Sequence, residues 1–190
     1  MLTLRLQTMS LFFSGLPRRC KQSRVSIASS RVTEAMEDNA HNIDSSLREQ
    51  VIEHMFLGEL LRCLWLKGIT DIDVLRPEVD RAGCDLVVSA NGILRYIQLK
   101  ASFVGATTAR VNVHTALETK PGACVIWVWF DPGTLRLDHF CWFGAGAKEP
   151  NLSFGNKKGR HTRGVAKAER PNIRILNKGQ FDRFRDIDEI

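Results

Sequence analysis

Four residues have types and spacing that could do chemistry together: Glu59, Asp85, Gln98 and Lys100. Asp85 enters the apolar run Leu86-Val87-Val88, and Gln98-Leu99-Lys100 closes a second run that begins at Ile93. Asn91-Gly92 joins the runs and is the strongest short signal for a two-residue hairpin turn. Such a turn pairs Ala90 with Ile93. Counting back sets Asp85 opposite Gln98, with Cβ atoms about 4.5–5.5 Å apart on one sheet face. Lys100 shares the face of Gln98, while Leu86, Val88, Ile97 and Leu99 point the other way. This register gathers an acid, an amide and an amine at one end of the hairpin. Asp80 sits in the loop at that same end, as a loop residue or an outer support.

A fourth group must come from the helix in front of the hairpin. Asp44-Ser45-Ser46 supplies N-cap chemistry, a helical pattern runs from Leu47 to about Lys67, and Gly68 stops it. At about 100° per residue, Glu59 falls within about 60° of Ile52, Met55, Phe56, Cys63 and Leu66. A carboxylate set into such an apolar stripe needs a metal, a lysine or hydrogen bonds. Asp85, Gln98 and Lys100 are placed to supply one; Arg62 and Arg48 are alternative partners at the helix edge. Glu53 is the second choice of helix acid and points about 120° away from Glu59. Taken singly, each residue has an ordinary reading: a loop cap for Asp85, solvent-facing strand positions for Gln98 and Lys100. It is their order and convergence that argue for a site.

The elements around the hairpin follow from periodicity. Residues 71–76 alternate like a strand that Pro77 ends, and 84–90 and 93–101 form the hairpin. Further strands are expected at 108–113, at 124–130 and 135–143 around Asp131-Pro132-Gly133, and at 172–176, with a short helix from Gln180. Residues 144–172, Gly-rich and then basic, read as loop. No internal repeat interrupts the order. The fold class is α/β or α+β, a mixed β-sheet flanked by helices, in a single domain over 44–190.

The order of helix Glu, strand-entry Asp and then Gln-x-Lys on the next strand resembles the active-site core of the PD-(D/E)XK nuclease superfamily. The Gln98-Leu99-Lys100 form departs from the usual Glu-x-Lys. It is similar to the variant in Mrr-like restriction endonucleases, and the helix-to-hairpin order is similar to that of archaeal Holliday-junction resolvases. The resemblance covers about residues 47–102, roughly a third of the chain. It implies a restriction-endonuclease-like core and a hydrolase, a Mg²⁺- or Mn²⁺-dependent endonuclease. Asp85, Gln98 and Glu59 would offer the hard oxygen ligands that Mg²⁺ requires, and Lys100 would orient water or stabilise charge on phosphorus. Gln98 removes one negative charge relative to the usual motif, which weakens the metal site. The alternatives are a catalytically inactive nucleic-acid-binding module of the same fold, and a structural or protein-interaction domain. The implied partner is nucleic acid, DNA before RNA, and a homodimer stays open.

Composition sets the outer limits. The net charge of +6 comes from one end: residues 1–33 hold six basic residues and no acidic one, and the other 21 basic residues match the 21 acidic ones. Global charge is therefore no argument for a nucleic-acid partner. The local cluster Lys157, Lys158, Arg160 and Arg163 reads either as a phosphate-binding run, of the kind phosphates select, or as a solvated loop. Residues 1–43 read as a basic leader outside the fold. It is either a mitochondrial-type presequence or a segment upstream of a true start at Met36; the second reading is preferred and puts the protein in the cytoplasm. The five cysteines include no Cys-x-x-Cys pair and read as buried hydrophobes of a reducing compartment. His139 and Cys141 are a weak metal pair, and Trp127, Trp129 and Trp142 read as core. No stretch approaches the roughly 18 apolar residues of a membrane span.

Overall fold

Helix α1 spans Ser45–Leu66 and buries Ile52, Phe56 and Cys63, spaced to form one stripe. It ends as the sequence predicts. Gly68 takes a left-handed φ of 76°, Gly68 N donates to Trp65 O, and Ile69 N donates to Leu64 O. This closure satisfies the last carbonyls of the helix, and a Cβ at Gly68 would strain it. Leu66, expected on the buried stripe, is instead 69% exposed. The computed structural model describes residues 45–79, 81, 83–144, 146, 152–163 and 166–190, with 161–163 and 166–167 described by backbone alone. The basic leader, Asp44 and Asp80 lie outside the described residues.

Nine strands follow among the described residues. They are β1 (Ile72–Leu75), β2 (Leu86–Ala90), β3 (Ile93–Phe103), β4 (Arg110–His114), β5 (Ala123–Phe130), β6 (Leu137–Gly144), β7 (Lys158–Arg163), β8 (Ala166–Asn177) and β9 (Asp182–Phe184). Six of them form one sheet in the order β1-β2-β3-β5-β6-β9. All neighbours are antiparallel except β3 and β5. A parallel pair needs a crossover. Here the crossover carries β4 and the 3₁₀ turn Thr115–Thr119. β5 is the central strand, and all eight of its residues are buried, as expected where both sheet faces are covered.

Two apolar layers do the covering. On one face α1 packs Ile52, Phe56 and Cys63 against Leu86, Ile97 and Val128. On the other, Val111, Val113 and Leu176 meet Val125, Trp127 and Trp129. Those residues of β4 and β8 belong to a second, three-stranded sheet of order β4-β8-β7. The protein is thus a mixed α+β fold of helix, six-stranded mixed sheet and small antiparallel sheet. Cys63, Cys84, Cys124 and Cys141 are buried and form no disulfide among the described residues, and burial pushes the Cys124 thiol up to about 12.

Three expectations are corrected. The basic part of 144–172 is not loop: β7 and the first half of β8 form a hairpin there. The predicted strand at 172–176 is the second half of that same β8, held by β4. The helix expected from Gln180 is replaced by β9, which pairs with the edge of β6 at Phe140–Trp142, between two short 3₁₀ turns. Among the described residues α1 is the one α-helix, so the sheet is flanked by a helix on one face rather than by several.

Candidate active site

The site begins where the hairpin splits. β2 and β3 pair from Ala90↔Ile93 to Leu86↔Ile97, the register that the Asn91-Gly92 turn dictates. Both turn residues have positive φ, 49° and 74°, as a type I′ turn requires. β2 then ends, while β3 runs on to Phe103 beside β5. Asp85 N makes the last rung, to Ile97 O at 2.8 Å. The next backbone N–H on β3, that of Leu99, donates to Asp85 Oδ2 at 2.7 Å. The carboxylate therefore takes over where the ladder stops. Gly83 aims this segment. Its φ is +67°, and a Cβ there would lie 2.9 Å from the Cβ of His114.

Beyond the split, Asp85 and Lys100 line one cavity of about 250 Å³ together with Glu49, Ile52 and Glu53 of α1. Two of the four expected residues are thus brought together. Glu53, the second choice of helix acid, is present. Glu49 was missed, although the spacing i, i+4 to Glu53 signals a shared helix flank. Glu53 Oε1 lies 3.2 Å from Arg76 Nη2. Lys100 is half-buried and makes no hydrogen bond or ion pair among the described residues.

Gln98 does not line this cavity. It is buried at 6% exposure. Its Oε1 accepts the backbone N–H of His114 at 3.1 Å. The expected neighbourhood of Gln98 with Lys100 holds along β3. The expected meeting of its amide oxygen with the Asp85 carboxylate does not, because that oxygen ties β3 to β4.

Glu59 is elsewhere too. Its side chain is 38% exposed and sits in a fork: Arg62 Nη2 donates to Oε1 at 2.6 Å and Arg62 Nε to Oε2 at 2.9 Å. The hydrogen bond and charge of Arg62 hold the Glu59 carboxyl below its ordinary range. The pair borders a separate cavity of about 570 Å³ that also meets Arg136, Arg185 and Asp188. The expectation that Glu59 faces the sheet is corrected: α1 rolls onto Ile52, Phe56 and Cys63, leaving Glu59 at the margin within reach of Arg62.

Hard oxygen donors suit a divalent cation such as Mg²⁺, and Asp85, Glu49 and Glu53 bring carboxylates to one cavity. No group of three His, Cys, Asp or Glu side chains is gathered closely enough to hold a metal ion among the described residues. Mg²⁺ usually takes only one or two carboxylates, completing its shell with waters and substrate phosphates. The donor set fits on those terms. His139 stacks on Trp129 at 5.4 Å and Cys141 lies in the core.

The basic cluster lies on the small sheet. Lys157, Lys158 and Arg160 are exposed. Lys158 and Arg160 both pair with Glu169, at 3.1 and 3.6 Å. The Arg163 side chain lies outside the described residues. Trp127 and Trp129 are buried, the former donating to Ser102 Oγ at 3.0 Å. No described helix is long and apolar enough to cross a membrane.

No family model and no curated protein matches the chain. Among solved structures it is similar to a bacterial homing endonuclease, at 23% identity and a TM-score of 0.31, over 62% of this chain and 81% of that one.

Proposed function

We propose that the cavity between α1 and the split hairpin is the active centre of a Mg²⁺- or Mn²⁺-dependent nuclease with a restriction-endonuclease-like core, acting on DNA. One observation carries the reading. The strand-entry acid and the Gln-x-Lys lysine, 15 residues apart in sequence, line the same cavity with two helix carboxylates. Asp85 would hold the cation through its carboxylate, with Glu49 and Glu53 as further oxygen donors. A bound divalent ion supplies Lewis-acid polarisation of the scissile phosphate and a bound water of lowered pKa. Lys100 places a positive charge where negative charge grows on the phosphoryl oxygens, in a half-buried setting where such a charge acts strongly. Gln98 enters as a positioning residue that fixes β3 against β4.

The test is nicking of plasmid DNA with Mg²⁺ or Mn²⁺, alongside metal binding by calorimetry. Asp85→Asn keeps an acceptor for Leu99 N–H but removes the charge. It should lose metal affinity and lower cleavage by about 10² or more. Lys100→Ala should lose cleavage to a similar degree while metal binding holds or improves, since a nearby positive charge is gone. Wild-type metal affinity in Asp85→Asn would remove the ligand assignment. A wild type that binds metal and DNA yet cuts neither DNA nor RNA would make the protein a binding module of the same fold.

A further inference from the structure

β8 is twelve residues long, but β4 supports only part of it. The β4 register covers Ile173 to Asn177. On the other side, the β7 register jumps from Lys158↔Arg174 to Gly159↔Arg170, so that Pro171, Asn172 and Ile173 bulge out of the ladder. Such a bulge bends its strand and re-aims what lies beyond it. This one is anchored: Arg174 Nη1 donates to Pro171 O at 2.7 Å, and Thr115 Oγ1 donates to Asn172 O at 3.3 Å. Beyond it, 159–163 and 166–170 continue as a two-stranded ribbon of five rungs, with no third strand beside it among the described residues. At the usual rise per residue it is about 16 Å long.

The charge of this ribbon is one-sided. Lys158, Arg160, Arg163, Lys167 and Arg170 stand against Glu169 alone. Lys158, Arg160 and Arg170 are exposed. Glu169 sits across from Arg160 in the register, and its carboxyl is held low by Lys158 and Arg160. A narrow, bent, cationic ribbon has one natural counterpart among nucleic acids. The major groove of B-form DNA, about 12 Å wide, admits a two-stranded ribbon. The major groove of duplex RNA is deep and narrow and does not admit side chains. Single strands are bound by stacking on exposed aromatic rings, and the ribbon sequence contains no Phe, Tyr or Trp.

We infer that the ribbon beyond the Pro171 bulge enters the major groove of duplex DNA, with one of Arg160 and Arg170, which the register sets on opposite faces of the ribbon, turned to the base edges. This rests on the nuclease reading for its biological sense, but not for its geometry. Gln98 links the two, because it joins β3, two residues from Lys100, to the sheet that carries the ribbon. A guanidinium is the commonest bidentate partner of guanine in that groove.

Binding is measured by fluorescence anisotropy without divalent metal, on four probes: a plain DNA duplex, the same duplex with glucosylated hydroxymethylcytosine filling its major groove, a duplex RNA, and a DNA single strand. The plain duplex should bind at least about tenfold tighter than the other three. Arg160→Ala with Arg170→Ala should lose about tenfold or more on the plain duplex while circular dichroism and Tm stay as in the wild type. Equal affinity for plain and glucosylated duplexes, or an unaltered affinity in the double variant, overturns the inference. If the wild type still nicks plasmid in that case, the nuclease reading survives alone. Tighter binding of duplex RNA or of the single strand overturns the inference as well. Absence of binding to all four probes together with absence of cleavage overturns both.

Discussion

Helix α1 has two charged flanks, and they differ in how their carboxylates are neutralised. On one, Glu49 and Glu53 share a cavity of about 250 Å³ with Asp85 and Lys100. On the other, Glu59 borders a cavity of about 570 Å³ with Arg62, Arg136 and Arg185. The larger cavity is the less promising for metal chemistry. Glu59 is already locked in a two-point fork with Arg62, a geometry that satisfies both carboxylate oxygens. Glu53 has a single contact to Arg76 at 3.2 Å, and Glu49 has no ion pair among the described residues. Size marks where a ligand has room. Incompletely neutralised oxygen donors mark where a cation has reason to bind.

The comparison breaks most sharply in cleavage. Glu49→Gln with Glu53→Gln should lower metal affinity and plasmid nicking by about 10–100-fold, while Glu59→Gln should leave both within about twofold, since a surface ion pair is worth little. The reverse pattern would return the site to the Glu59 flank. A smaller effect is expected from the turn that aims Asp85. Gly83→Ala places a Cβ 2.9 Å from that of His114 in a left-handed backbone, a conformation that costs an L residue about 1–2 kcal/mol. Denaturant unfolding should report that loss, and nicking should fall with it as Asp85 is displaced. An Ala variant with wild-type stability would show that Gly83 holds nothing in place. Ser102→Ala removes the acceptor of the buried Trp127 indole and should cost about 1–3 kcal/mol, with metal affinity unchanged. A change in metal affinity there would mean that the far end of β3 is coupled to the cavity.

How far the site was legible follows from which rules are local. The hairpin register could be read because a two-residue turn fixes every later pair, and Leu86↔Ile97 appears where counting puts it. Counting says nothing of where a ladder stops. The pairing of β2 and β3 ends at Leu86, and Asp85 turns to the edge of β3 instead of facing Gln98 across the sheet. The helix stripe could be read too, but a stripe wide enough to hold Ile52, Phe56 and Cys63 leaves its margins undetermined. Arg62, three residues from Glu59, decided one margin, and Glu49 with Glu53 occupies the other. The basic hairpin was hidden for a different reason. Its alternating cations and glycines carry no apolar period, and β8 is anchored outside the hairpin, where its second half pairs with β4 and Val111, Val113 and Leu176 bury against the far face of the main sheet. Position in the tertiary structure overrode local propensity there.

The smallest expected effect sits on the neutralised flank itself. Arg62 holds the Glu59 carboxyl below its ordinary value of 4.5, first by hydrogen bonding; burial pushes the other way, and the charge of Arg62 adds a smaller lowering. A lowered carboxylate pKa stabilises the fold fully above the unfolded-state value. The contribution is lost as pH falls through the folded-state value, so it is present at pH 7 and fades below about pH 4.5. The pair is largely exposed, so salt and solvent screen it and the change in Tm should be slight. The carboxyl titration is the sharper readout. Followed by NMR, Glu59 should titrate below the usual glutamate range in the wild type and return to that range in Arg62→Ala. Metal added at neutral pH should leave its resonance where it was. A metal-induced shift at Glu59, or a wild-type titration at the ordinary value, would mean that the fork is open in solution and that this flank, too, has a carboxylate to offer.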